Sequence, residues 1–166
     1  MNFVKRAGQA GFTLVELLIV VIILAVLASV AVPQFTSSTD DAKEAALDST
    51  LSQMRTAIEL YYHQHGEYPG ANGDGTNAAN LPVTILNQLT KYTDADGVIS
   101  DTASATYKYG PYLKRQDLPV NPIDSSSTVT VNTTGSLAAT GDDAGGWWFD
   151  PVSGKFMPNI SGYYTR

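Results

Sequence analysis

Glu16 places a carboxylate inside a strongly apolar stretch of the chain. It is the only charged residue in the 21 residues 12–32. A carboxylate in lipid or in a protein core is costly unless it has a partner, so Glu16 requires a nearby cation or hydrogen-bond donor. Because it lies one helical turn inside the apolar run, its side chain has an alternative, which is to snorkel to the membrane surface.

A second set of acidic side chains has part of the pattern of a calcium site. Asp94, Asp96 and Gly97 match the middle of an EF-type loop. Tyr92 and Ala103 stand where the first and last ligands of such a loop belong. The favoured interpretation is therefore an ordinary aspartate-glycine turn, with calcium as the alternative.

Patterns of catalytic residues are absent from the sequence. His63 and His65 fall on different faces of a helix and lack zinc-site spacing, and there is no Gly-x-Ser-x-Gly elbow or phosphate-binding loop. The chain has no cysteine, which excludes thiolate sites and disulfides. Its net charge of −6 has the wrong sign for holding a nucleic-acid backbone. We expect a protein that is not an enzyme, requires no cofactor and does not bind nucleic acid.

The apolar segment has the length of a membrane span. As a helix, residues 12–32 extend roughly 31 Å, which matches the hydrocarbon core of a bilayer. Lys5 and Arg6 precede the segment, and the first charges after it are Asp40 and Asp41, so the positive-inside rule places the N-terminus in the cytoplasm.

Processing of this segment is open to three interpretations. It is an uncleaved anchor, a secretory signal cleaved after Ala31, or a segment processed further upstream. Against the secretory signal, Glu16 interrupts the apolar run and Pro33 follows the small residues at once.

Helical composition continues beyond Pro33, where the missing backbone donor predicts a kink. Apolar residues then recur at alternating spacings of four and three, which predicts an amphipathic helix packed on a sheet of the same chain. Gly66 is expected to end this second half, residues 33–66. The stripe consists of Leu47, Leu51, Met54, Ile58, Tyr61 and His65.

Residues 67–166 are expected to form a globular head with a loop region and a β-sheet. The loop, residues 70–105, includes a short helix or turn at residues 81–90. The predicted fold class is α+β, with a long N-terminal helix packed on a small antiparallel sheet. Strand-like composition occurs at residues 107–113, 128–132, 146–150 and 155–158, the last two forming a hairpin.

Three consecutive aromatic residues, Trp147, Trp148 and Phe149, alternate faces if they form a strand. At least one ring then points away from the helix, where it either packs under a loop or contacts another protein. Asn132 and Asn159 begin glycosylation sequons, a match too common to carry weight.

The start of the apolar segment has a distinctive sequence, Gly11-Phe12-Thr13-Leu14-Val15-Glu16-Leu17-Leu18-Ile19-Val20-Val21. It resembles the signature of type IV pilins and type II secretion pseudopilins. The resemblance implies that prepilin peptidase cleaves after Gly11, removes the leader 1–11 and methylates the new amine of Phe12. It further implies that Glu16 neutralises this amine on an adjacent filament subunit.

Later segments carry a second resemblance, and they are Tyr61-Tyr62, Gly66-Glu67-Tyr68-Pro69, Gly110-Pro111-Tyr112-Leu113, Val120-Asn121-Pro122 and Gly146-Trp147-Trp148-Phe149. They resemble the major pseudopilins in particular. The absence of cysteine fits that branch, because many type IV major pilins close their C-terminal region with a disulfide. Major pseudopilins hold calcium in a C-terminal loop, so the resemblance makes Asp142, Asp143 and Asp150 the candidate ligands here.

The resemblance implies a structural subunit of a type II secretion pseudopilus that supports protein secretion. Its partners would be copies of itself in a homopolymer, other pseudopilins or pilins, prepilin peptidase and the inner-membrane assembly platform. The chain would cross the inner membrane once, with a periplasmic head, before it enters the filament. The alternatives are a type IV pilus subunit in adhesion, motility or DNA uptake, and a non-polymerising membrane-anchored binding module.

Overall fold

The computed structural model describes residues 11–136 and 142–166, except for the side chains of residues 30–37. The chain divides into two compact units, Met1–Ala42 and Lys43–Arg166. The fold class is α+β, as predicted. The described residues contain two helices and five strands, which are α1 Leu14–His65, α2 Pro82–Thr90, β1 Tyr92–Thr93, β2 Ile99–Ser100, β3 Val129–Val131, β4 Trp147–Phe149 and β5 Phe156–Pro158.

Helix α1 ends where the sequence predicts. Gly66 follows its last residue, His65, with φ of +77°, a left-handed conformation that glycine adopts without steric cost. The backbone N–H of Gly66 donates to the carbonyl of Tyr62 at 2.8 Å, which satisfies one of the last helical carbonyls. The helix therefore stops by a local signal.

The predicted apolar stripe forms the core of the second unit. Its first five residues, from Leu47 to Tyr61, are each at most 3% exposed, and His65 is half-buried. These first five residues belong to one hydrophobic cluster with Trp147, Phe149 and Phe156 of the sheet. This confirms that the second half of α1 buries one face against a sheet of the same chain.

The main sheet has the order β3-β4-β5. Strands β4 and β5 form the predicted antiparallel hairpin, with Phe149 opposite Phe156. The sheet departs from the antiparallel prediction at one pair, because β3 runs parallel to β4 with Val129 opposite Trp147. The 15 residues between β3 and β4 allow this, since a parallel pair needs a connection of about a dozen residues or more.

The strand predicted at residues 107–113 is not present. Tyr109 forms only an isolated bridge with Thr93. Pro111 has no backbone N–H to offer a partner strand, and the N–H groups of Tyr112 and Leu113 donate to the carbonyl of Leu89 instead. A carbonyl in the last turn of α2 therefore takes the hydrogen bonds that a strand would have used.

Buried polar side chains of α2 hold the loop region in place. Gln88 is fully buried, and its Oε1 accepts from the N–H of Gly70 at 2.7 Å while its Nε2 donates to the carbonyl of Gly97 at 3.0 Å. Asn87 donates to the buried carboxylate of Asp74 at 2.8 Å. The loop is thus fixed by hydrogen bonds as well as by apolar packing.

The three consecutive aromatic residues alternate faces, as predicted for a strand. Trp147 and Phe149 are fully buried, whereas Trp148 on the opposite face of the sheet is half-buried. Asn159 is fully buried, which removes its sequon from the surface. Asn132 lies at the end of β3, and its Oδ1 accepts from the N–H of Thr134.

His65 joins the end of α1 to the loops around it. Its ring stacks on Tyr61 with centroids 4.1 Å apart, and its Nδ1 lies 3.2 Å from the carbonyl of Ala95. Its Nε2 lies 2.9 Å from the Tyr112 hydroxyl and 3.1 Å from the Thr93 hydroxyl. Burial lowers the pKa of His65, against the opposing effects of the Ala95 carbonyl and the Asp94 carboxylate.

Replacing Gln88 with leucine should lower the free energy of unfolding by about 2 to 4 kcal/mol, because one buried N–H and one buried carbonyl lose their partners. Chemical denaturation of the full chain in detergent measures the change. Gln53→Leu is the control, since Gln53 is exposed and its side-chain amide donates to Ser49 on its own helix. Equal stability of the two variants would contradict this account of the loop.

The pKa of His65 also predicts a pH dependence. Because the folded chain binds this proton less tightly than the unfolded chain, the unfolding free energy should fall as pH drops below the ordinary histidine value of about 6.5. Denaturation at about pH 7.5 and about pH 5.5 tests this. His65→Gln should reduce the difference, whereas His63→Gln, at an exposed position, should leave it unchanged.

Candidate processing and assembly site

Gly11 and Phe12 lie just before α1, which begins at Leu14. The peptide bond between them is therefore outside the helix, and a protease can reach it without unwinding a helical turn. A side-chain atom added at Gly11 would meet no atom of the described residues within 4 Å. Phe12 is 80% exposed. The sequence-predicted processing position is thus an open, non-helical segment.

Glu16 has a partner within its own chain, which the sequence reasoning missed. The Glu16 Oε2 accepts from the backbone N–H of Thr13 at 2.9 Å and from its hydroxyl at 2.7 Å. In return, the Thr13 hydroxyl oxygen accepts from the N–H of Glu16 at 3.2 Å. This is a capping box, and its signal in the sequence is a threonine three residues before a glutamate at the start of an apolar run.

The capping box uses only one oxygen of the carboxylate. Both bonds from Thr13 go to Oε2, and within the described part of the chain Oε1 of Glu16 accepts no hydrogen bond. A carboxylate at a helix N-terminus is favoured by the helix dipole. The side chain is therefore held at a fixed position with one oxygen available to an external cation.

The first turns of α1 expose apolar side chains on every side. In the first unit, 13 large apolar residues between Phe12 and Leu27 are each at least 47% exposed. Soluble monomers rarely leave such a large apolar surface in contact with water. Among the described residues, no helix has both the length and the hydropathy needed to cross a membrane. The exposed surface nonetheless requires an apolar partner.

Helix α1 runs through Pro33. The side chain of Pro33 lies outside the described residues, so the kink expected there stays a prediction.

The aspartates proposed for calcium occupy turns. Asp94 Oδ1 accepts from the N–H groups of Asp96 and Val98 at 3.0 and 2.9 Å, which is the aspartate-glycine turn favoured above. The side chain of Asp96 itself is exposed.

The second set of aspartates is also bonded to protein. Asp142 accepts from Asn159, Asp143 accepts from Tyr164, and fully buried Asp150 accepts from Val152 and Ser153. In the described ranges, no three histidine, aspartate or glutamate side chains come together as metal ligands. Calcium binding stays a prediction.

Comparison with known proteins points to the same N-terminal residues. Residues 6–32 match the prokaryotic N-terminal methylation motif. This range includes Gly11, Phe12 and Glu16 together with most of the exposed apolar surface. No solved structure matches the chain.

Similarity to individual proteins extends further along the chain. A fimbrial protein of Neisseria meningitidis serogroup A is 29% identical over 75% of this chain and 80% of its own length. The type II secretion system core protein G of Aeromonas hydrophila is 27% identical over 86% of this chain and 95% of its own length. The core protein G of Pseudomonas aeruginosa is 37% identical, but the match spans 39% of this chain and less than half of that protein.

Replacing Thr13 with valine should loosen the first turn of α1, because valine keeps the shape but loses both side-chain bonds of the capping box. We expect several-fold faster amide hydrogen exchange at residues 14–17 in detergent micelles. Ser29→Ala is the control, since the Ser29 hydroxyl donates to the Val26 carbonyl of the same helix and lies outside the capping box. Unchanged exchange in Thr13→Val would show that the capping box does not hold Glu16.

Proposed function

Because this chain carries the prokaryotic N-terminal methylation motif and is pilin-like over most of its length, we propose that it is a subunit of a helical filament. The observation that carries the proposal is the position of Glu16. Its carboxylate is fixed by Thr13 at the start of an exposed apolar helix and keeps one oxygen available. That arrangement suits a cation brought by another copy.

The proposed cation is the processed amine of Phe12. Prepilin peptidase cleaves after Gly11, releases residues 1–11 and leaves an N-methylated amine on Phe12. This amine is positive at the N-terminus of a helix, where the helix dipole is also positive, so it gains strongly from a nearby carboxylate. The Glu16 carboxylate of an adjacent subunit supplies that charge when the apolar helices pack together.

The exposed apolar surface explains why assembly and anchoring use the same segment. Before assembly, we place residues 12–32 in the inner membrane as a single anchor, with residues 67–166 in the periplasm. In the filament, the same side chains pack against other copies instead of lipid. An inner-membrane assembly platform must move the subunit from one environment to the other.

We assign the filament to a type II secretion pseudopilus that supports protein secretion. Two observations favour this assignment. The Aeromonas hydrophila core protein G aligns with nearly all of this chain, and the absence of cysteine excludes the C-terminal disulfide of many type IV major pilins. A type IV pilus subunit is the second candidate, favoured by the match to a Neisseria meningitidis fimbrial protein.

Replacing Glu16 with alanine tests the proposal. We expect at least a tenfold loss of filaments, counted by electron microscopy of material sheared from cells, because the buried amine loses its counter-charge. Membrane insertion should be kept or improved, since a charge has left the apolar segment. Asp41→Ala is the matched control, because it removes an exposed carboxylate from the same helix.

Wild-type numbers of filaments from Glu16→Ala would contradict the assembly role. Complete absence of filaments from the wild-type chain, with the protein retained in the membrane, would favour the non-polymerising anchored module.

A further inference from the structure

A groove runs along one side of α1 in the unit Lys43–Arg166. Its cavity volume is about 550 Å³. Met54, Ala57 and Leu60 line it from the helix, and Leu113 and Pro119 line it from the opposite side. Leu60 is 47% exposed, unlike the buried stripe of the same helix. The groove therefore offers apolar surface that this unit does not cover.

Basic side chains border the groove. Lys114 and Arg115 line it and are exposed, and neither forms an ion pair in the part of the chain that the structure describes. Among the described residues, Asp117 is the one acidic side chain that lines it. The groove is thus locally positive on a chain whose net charge is −6. We call the cavity lined by Met54, Ala57, Leu60, Lys114 and Arg115 the basic groove.

Three other cations of this unit have polar partners, whereas exposed Lys43 and Lys155, like Lys114 and Arg115, form no ion pair among the described residues. Arg166 pairs with Glu44 and Asp48 at 2.5 and 3.0 Å. Lys91 pairs with Asp101 at 2.8 Å. Arg55 donates to the carbonyls of Phe156 and Arg166.

An acidic surface lies at the end of α1. Glu67 and Asp96 line a small cavity of about 110 Å³ beside His65, and Asp94 lies in the same β1–β2 turn as Asp96. Within the described residues, none of these three carboxylates forms an ion pair. Ala95 and Asp96 are exposed at the turn. We call Glu67, Asp94 and Asp96 the acidic tip.

The acidic tip has a defined shape. Asp94 Oδ1 holds the turn through the N–H groups of Asp96 and Val98, and the Ala95 carbonyl contacts His65. A preorganised turn loses little conformational entropy when it binds. It can therefore act as a rigid negative element for a positive groove.

We propose that the basic groove of one copy receives the acidic tip of a second copy. The charges are complementary, and the exposed Ala95 supplies a small apolar side chain for the groove floor at Leu60. This inference rests on the proposed filament function and names a second contact surface for it.

The placement of the two surfaces favours a polymer over a closed dimer. The basic groove borders residues 50–60 of α1, whereas the acidic tip surrounds the end of the helix at His65. A contact between two different surfaces is heterologous and leaves one of each free at the ends of the assembly. Such a contact adds further copies in the same direction, as a filament requires.

Disulfide trapping in the full chain tests the contact cleanly, because the natural sequence has no cysteine. The test variant carries Ala95→Cys at the acidic tip and Gln116→Cys beside the basic groove, both at exposed positions. Under mild oxidation of assembled filaments we expect a ladder of dimers, trimers and higher multimers. The matched control joins Ala95→Cys with Val152→Cys, which is 61% exposed in the β4–β5 turn, and should give no ladder.

A second experiment reverses the charges of the two surfaces in the disulfide-trapping variant. Adding Lys114→Glu and Arg115→Glu to the test variant should reduce the ladder at least tenfold, because like charges then face each other. Adding Glu67→Lys and Asp96→Lys as well should restore it, since the attraction is rebuilt with opposite signs. Restoration also shows that the first exchange did not simply unfold the chain. Asp94 is left unchanged because it holds the turn.

The outcomes separate this inference from the proposed function. A ladder that is lost and restored as described supports it. Filaments in the micrographs without a ladder, or a ladder insensitive to charge exchange, would overturn the contact and leave the filament function intact. Trapping of Gln116→Cys on an acidic cargo protein instead of a second copy would overturn the assigned occupant. No filaments at all would overturn the proposed function itself.

Discussion

A carboxylate at the start of an exposed apolar helix constrains how this chain can exist. Glu16 is held by Thr13 and surrounded by apolar residues that no part of the described first unit covers. Lipid satisfies the apolar side chains but leaves the charge dependent on the Thr13 bonds or on the membrane surface, and water satisfies the charge but not the apolar side chains. Packing against copies that carry a positive amine satisfies both. The proposed filament meets both requirements.

The second unit, Lys43–Arg166, buries its apolar residues within itself. One face of α1 between Leu47 and Tyr61 is buried against the three-stranded sheet, so this part of the chain has a core of its own. The loops around that core are fixed by Gln88, by Asp74 and by the His65 contacts. Rigid loops keep the acidic tip and the basic groove at defined positions, which is what a repeated contact in a polymer demands.

Much of this architecture could be predicted from local patterns. The spacing of Leu47, Leu51 and Met54 predicts the buried face, and Gly66 predicts the helix end, because both signals act within one or two turns. Aromatic and β-branched residues predict β3, β4 and β5 for the same reason. The Thr13–Glu16 capping box also has a sequence signal, a threonine three residues before a glutamate, whereas the charge of Glu16 by itself predicts a cationic partner.

Other features depend on contacts between distant residues. The direction of β3 depends on a 15-residue connection with no periodic pattern, so the sequence does not predict the parallel pairing. Residues 107–113 have strand-like composition, but the N–H groups of Tyr112 and Leu113 donate to the carbonyl of Leu89, which lies more than 20 residues away in the chain. Gln88 and Asp74 are buried within polar segments, where sequence alone cannot distinguish a structural polar residue from a solvated one.

The proposed filament depends on processing that frees the amine of Phe12. Intact mass and N-terminal peptide mapping of the protein isolated from its own cells show where the mature chain begins. We expect a mature chain that begins at Phe12 and carries one added methyl group. A chain that begins at Val32, or one that keeps residues 1–11, would contradict it.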